Sequence, residues 1–184
     1  MMGIMTDIVK ESKFLSLVLR HKPQKIGLAL GDGGWVNVHD LIKAMNDHGH
    51  TMTRELLIQV VEDNDKKRFA FNEDETMIRA SQGHSVDVDL QLIPKAPPER
   101  LYHGTIHAFL KSIKQTGLDK GKRHAVHLSA NYETAHQVGS RRGDPVILSI
   151  KSKEMHRDGF DFFQSENGVW LTDNVLPKYI IFPG

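Results

Sequence analysis

Along the first ninety residues, apolar positions recur three times with a helical period. Ile8, Phe14, Leu15, Val18 and Leu19 mark a first helix; Val38, Leu41, Ile42 and Met45 a second, with Asn37 as its N-cap; Leu56, Leu57, Val60 and Val61 a third, capped by Thr53. The first ends in "LVLRHKP" (17–23), where Pro23 has no N–H to give and so stops it. The pattern then changes period. "RFAF", the polar turn "NEDE" and "TMIRA" predict two strands of a hairpin, and "VDVDLQLI" (86–93) alternates strictly, predicting another strand. Three helices followed by a hairpin is the element order of a winged-helix lobe.

A break follows. "LIPKAPPER" (92–100) sets three prolines among charged residues and predicts a linker. Beyond it, short β-branched or aromatic runs dominate: "RLYHGT", "HAVHLS", "PVILSI", "GVWLT" and "KYIIF", with helical stretches at 106–116 and 131–140. The expected class is α+β: a first lobe over 1–93, a linker over 94–100, and a second lobe with small curved β-sheets over 101–184.

Composition narrows the class. With 184 residues, 39% hydrophobic and 26% charged, the chain can bury a sizeable core. No run approaches the roughly 18 apolar residues of a membrane helix, and no secretory signal is visible at the N-terminus. The absence of cysteine excludes thiolate catalysis and disulfides. A cytoplasmic protein, monomeric and without membrane contact, is expected. The formal charge of +1 is unevenly divided: residues 1–94 carry 11 Lys/Arg against 14 Asp/Glu, and residues 95–184 carry 13 against 9. An acidic winged-helix lobe argues against duplex DNA, because phosphate binding needs clustered cations.

Those cations are concentrated in a few spots: Arg20-His21-Lys22, Lys66-Lys67-Arg68, "KGKRHAVHLS" (120–129) and "GSRRG" (139–143). Arginine suits phosphate through its planar, permanently charged fork. Any one cluster also fits a solvated face or a helix end; their number points to a phosphorylated ligand. "YHGT" (102–105) and "QGHS" (82–85) add glycine beside hydrogen-bonding side chains, a combination that lets a ligand approach closely but also makes ordinary turns. His103 with His107 and His124 with His127 have ligand-like spacing, yet no carboxylate is placed with them, and no metal is expected.

Taken together, these motifs resemble those of the RNA 2′-phosphotransferases, NAD-dependent enzymes that remove a splice-junction 2′-phosphate from tRNA. The resemblance runs over nearly the whole chain, through "FLSLVLRHKP" (14–23), "DKKRF" (65–69), "IRASQGHS" (78–85), "YHGT" (102–105), "KRHAVHLS" (122–129), "VGSRRG" (138–143) and "ENGVWLT" (166–172). It implies a winged-helix RNA lobe and an ADP-ribosyltransferase-like NAD lobe with the active site between them. It also implies a two-step reaction through a 2′-phospho-ADP-ribosylated RNA.

By the same resemblance, the catalytic set falls on Arg20, His21, Arg68 and Arg123, and the NAD-holding set on His103, Gly104, Thr105, His127 and Ser129. Lys67, Gln82, His84, Ser85, Arg141 and Arg142 are assigned to substrate phosphate or RNA. Many ADP-ribosyltransferases carry a glutamate where this chain has Val169, a departure that favours a phosphate acceptor. Two other functions remain open at this stage. One is an ADP-ribosyltransferase that caps nucleic-acid ends or another acceptor without the second step. The other is a nucleic-acid-binding regulator built on the winged helix.

Overall fold

The computed structural model describes residues 2–184, with side chains described from Ile8 onward; the first residue of the expected 1–93 lobe lies outside the described residues. The chain divides into two compact units, Met1–Gln91 and Leu92–Gly184. It is a mixed α/β structure with small antiparallel sheets.

In the first unit, α1 (Met2–Arg20) ends three residues before Pro23. Pro23 opens a short 3-10 turn, Pro23–Ile26, as its fixed φ favours. Strand β1 (Val36–Asn37) leads directly into α2 (Val38–Asp47). Asn37 Oδ1 caps α2 by accepting from the backbone N–H groups of His39 and Asp40 at 2.9 and 3.2 Å. Thr53 Oγ1 does the same for α3 (Arg54–Glu62), accepting from Leu56 N–H at 3.2 Å. The hairpin follows as β2 (Phe69–Phe71) and β3 (Met77–Ala80), with β1 on the other edge of β3. Leu15, Val18 and Leu19 of α1 share a buried core with Leu41 and Met45 of α2, Leu57 and Val60 of α3, and Phe69 and Ile78 of the hairpin. Each such side chain contributes about 1.5–3 kcal/mol by leaving water.

The expected strand at 86–93 is not a strand. Its side chains do alternate between half-buried (Val86, Val88, Leu90, Leu92) and exposed (Asp87, Asp89, Gln91, Ile93), so the pattern reports a genuine one-sided burial. Among the described residues, no strand pairs with it. Gln91 turns left-handed at φ +54° and its N–H bonds back to Asp89 Oδ1, ending the extension.

The second unit begins with the proline-rich segment, held in place by bonds rather than loose. Lys95 N–H donates to the Phe162 carbonyl at 2.7 Å, and the Pro98 carbonyl accepts from Ser152 Oγ at 2.7 Å. The elements that follow are β4 (Leu101–Ile106), α4 (His107–Thr116), β5 (Leu118–Asp119), β6 (Val126–Leu128), α5 (Tyr132–Gly139) and β7 (Pro145–Ile150). After them come α6 (Ser152–Arg157), β8 (Phe163–Gln164), β9 (Trp170–Thr172), β10 (Asn174–Val175) and β11 (Ile180–Ile181). β7 lies between β4 and β11, and β9 between β6 and β8, all antiparallel. Tyr102 and Ser129 exchange both backbone hydrogen bonds, at 2.9 and 2.8 Å, and tie β4 to the end of β6. Leu101, Leu128, Leu148, Ile150, Phe162 and Tyr179 fill the core.

Candidate active site

In the first unit the site is assembled by one loop. Ser81 N–H donates to the Arg68 carbonyl at 2.9 Å, and Ser81 Oγ donates to the Lys67 carbonyl at 3.0 Å. Four residues later, Ser85 N–H donates to the Arg20 carbonyl at 2.8 Å, and Ser85 Oγ bonds His21 Nδ1 at 2.9 Å. Four residues of chain span at most about 14 Å, so the loop fastens Arg20-His21 to Lys67-Arg68. Gly83 makes the tight loop affordable by adopting φ +86°. Within it, Ser85 is exposed beside His21 and Gln82 is half-buried, whereas His84 is fully buried against Gly34.

The loop also answers an electrostatic problem. The C-terminal carbonyls of a helix carry partial negative charge and repel anions. Here the Leu17 carbonyl is occupied by the N–H groups of His21 and Lys22, and the Arg20 carbonyl by Ser85 N–H. The Arg20 and His21 side chains thus emerge from a helix end at which two of the last four carbonyls, those of Leu17 and Arg20, are already engaged. Lys67, at φ +41°, holds a left-handed conformation that L-residues adopt only at a cost of about 1–2 kcal/mol. The strain lies next to Arg68.

Arg79, the other cation of the hairpin, sits over the Trp35 ring, 4.4 Å from its centroid, and donates to the Gly33 carbonyl at 3.3 Å. It ties β3 to the turn that leads into β1.

In the second unit, His103 of β4 bonds the His127 carbonyl of β6 through Nδ1 at 3.1 Å. Burial pushes the His103 imidazole below its ordinary value; the bond to the His127 carbonyl opposes this, and the charges of Arg142 and Arg123 reinforce it. Arg123 Nη1 lies 3.2 Å from His127 Nδ1. Its guanidinium is lowered by burial first and then by Arg142 and Arg141. Three arginines and a histidine whose charged form burial disfavours therefore share one neighbourhood, and among the described residues none of the three arginines makes a salt bridge. Such a cluster of like charges is suited to an anion. Thr105 is buried and Ser129 half-buried.

Gly104 is used by the protein's own backbone. A Cβ there would stand 1.9 Å from the Ala135 carbonyl oxygen and 2.8 Å from Gly139 N. The missing side chain seats α5 on β4, and α5 in turn delivers Arg141 and Arg142 in the 3-10 turn Ser140–Arg142. Any ligand at Gly104 would meet main chain only. Among the described residues, no group of three or more His, Asp or Glu is arranged to hold a metal ion, and no helix is long and apolar enough to cross a membrane.

Charge and motif spacing pick out the arginines and histidines. They do not pick out Ser81 or Asn64, whose roles come from contacts across the sequence. The only local sign of Ser81 is its place at the end of a strand and the start of "SQGHS".

The chain is similar to known proteins over nearly its whole length. It is 59% identical over 171 residues to a probable RNA 2′-phosphotransferase of Flavobacterium johnsoniae, covering 93% of this chain and 94% of that protein. It is 53% identical over 178 residues to one of Rhodopirellula baltica (96% and 97%), and 50% identical over 175 residues to one of Escherichia coli (95% of each). The family model described as RNA 2′-phosphotransferase, Tpt1 / KptA family, matches residues 6–174. The chain belongs to the RNA 2′-phosphotransferase, Tpt1 / KptA family.

Proposed function

We propose that this chain removes an internal 2′-phosphate from RNA by transferring it to NAD in two steps. In the first, a 2′-phosphate oxygen attacks C1″ of the nicotinamide ribose. The bond from C1″ to the ring nitrogen breaks, and neutral nicotinamide leaves with the electron pair. In the second, ribose O2″ attacks phosphorus, the bond from phosphorus to RNA O2′ breaks, and the proton lost by O2″ is balanced by one gained at O2′. The products are 2′-OH RNA, nicotinamide and ADP-ribose 1″,2″-cyclic phosphate.

The observation that carries this reading is the loop 81–85, which fastens Arg20-His21 to Lys67-Arg68. Two permanent cations, Arg20 and Arg68, and the His21 imidazole, fastened by one loop, suit a dianionic phosphate: they position it and stabilise charge as it grows on phosphorus. The imidazole of His21 is the side-chain type suited to proton transfer in the second step. In this reading the first unit is the winged-helix RNA lobe and the second the ADP-ribosyltransferase-like NAD lobe. His103, kept neutral, and Ser129 offer hydrogen bonds to ribose hydroxyls, and Arg123, Arg141 and Arg142 offer charge to phosphates.

The test is a short RNA with one internal 2′-phosphate, incubated with and without NAD, its products resolved for wild type and His21→Ala. The expected result is NAD-dependent conversion to 2′-OH RNA, with the variant slowed by at least about 10²-fold or stalled at an ADP-ribosylated intermediate. Accumulation of ADP-ribosylated RNA by the wild type itself would point instead to a transferase that stops after the first step. No NAD-dependent change would sink both.

A further inference from the structure

Asn64 lies just past the end of α3, in the acidic run "EDND" (62–65) that precedes "KKR" (66–68). Its neighbours Glu62, Asp63 and Asp65 are exposed, and Asn64 alone of the four is buried, 7% exposed. Its side chain makes three hydrogen bonds. Oδ1 accepts from Lys66 N–H at 3.2 Å and from Arg68 Nη1 at 3.3 Å, and Nδ2 donates to Ser12 Oγ of α1 at 3.2 Å. The Asn64 carbonyl accepts from Lys67 N–H at 2.7 Å, closing the turn that strains Lys67. One amide therefore connects the helix that ends in Arg20-His21 to the turn that presents Arg68.

We propose that Asn64 is a positioning residue for the RNA 2′-phosphate: it orients Arg68 with an acceptor that carries no charge. This rests on the function proposed above. The chemistry explains why the buried member of an acidic run is the amide. Aspartate would offer the same oxygen to Lys66 and Arg68, and Ser12 could reverse its hydroxyl to donate to it. It would also set a carboxylate against the guanidinium, in direct competition with a phosphate for the same fork. The near-isosteric exchange of amide for carboxylate thus keeps the tether and changes the charge.

The experiment uses the full chain and two versions of one short RNA, with an internal 2′-phosphate or with 2′-OH throughout. Binding is measured by fluorescence anisotropy without NAD, alongside thermal melting. Asn64→Asp should weaken binding of the 2′-phosphorylated RNA about tenfold, a typical scale for one charge-assisted contact. Binding of the 2′-OH RNA and the melting temperature should stay near wild type. In turnover, the same variant should raise KM for RNA while KM for NAD is unchanged. Asn64→Ala should cost a similar factor alone and nothing further in an Arg68→Ala background, because its effect runs through Arg68.

Wild-type binding by Asn64→Asp would overturn the inference. So would a cost of Asn64→Ala that persists undiminished without Arg68, or failure of Asn64→Asp to fold, since each makes the residue structural only. A wild type indifferent to the 2′-phosphate would overturn the function proposed above, and this inference with it.

Discussion

His103 is the residue whose environment has a measurable sign. Burial, reinforced by Arg142 and Arg123, holds its imidazole below the ordinary value of 6.5. Below that pH the unfolded chain takes up a proton at this position and the folded chain resists it, so the unfolded state binds more protons. Stability should therefore rise with pH from the depressed value up to about 6.5 and be flat above. Subtracting a urea-denaturation profile of His103→Gln from that of wild type isolates the effect. A difference that is flat across this window, or that falls as pH rises, would refute the assignment. At the same scale, charge marked the clusters in which Arg20, His21, Arg68 and Arg123 lie, and the resemblance of their motifs singled out those four residues. Ser81 and Asn64 were not legible. A serine or asparagine in a polar stretch has many uses, and only the distance to Arg68 reveals this one.

Among the elements, helices were the most legible, since period, cap and stop agree. Asn37, Thr53 and Pro23 act where the pattern placed them. The segment 86–93 shows the limit of the same method. Alternation records which side is buried, whereas a strand also needs a partner, and partners are set by tertiary packing. Gly104 shows a second limit. The sequence allowed it to make room for a ligand, and the fold spends that room on α5. Gly104→Ala must push back the Ala135 carbonyl from 1.9 Å and should destabilise the protein by about 3 kcal/mol or more. Gly139→Ala, with contacts of 3.0 Å and beyond to Pro145, Gly104 and Thr105, should cost less. Chemical denaturation of both variants checks the order; equal losses would mean that α5 is not seated by Gly104.

Over the whole molecule, charge is arranged in clusters on a nearly neutral background, with a formal net charge of +1. A protein that grips a few phosphates rather than tracking a strand should show a shallow salt dependence. For single-stranded RNA with about three to four phosphate contacts, the slope of log K against log salt should be about −2 to −3. Anisotropy titrations over a range of salt would measure it, and a slope steeper than about −5 would mean an extended basic track. By itself the sequence determined the helices and the hairpin of the first unit, the caps Asn37 and Thr53, the placing of its cationic clusters, and the family to which the chain belongs. Those are properties of local period and of motifs, which a linear chain carries openly. Tertiary structure decided which of them meet. His21 and Ser85 are 64 residues apart in sequence, and His103 and His127 are 24 apart. Their contacts follow from how helices and sheets bury their apolar faces, and no local pattern of polar residues encodes that outcome.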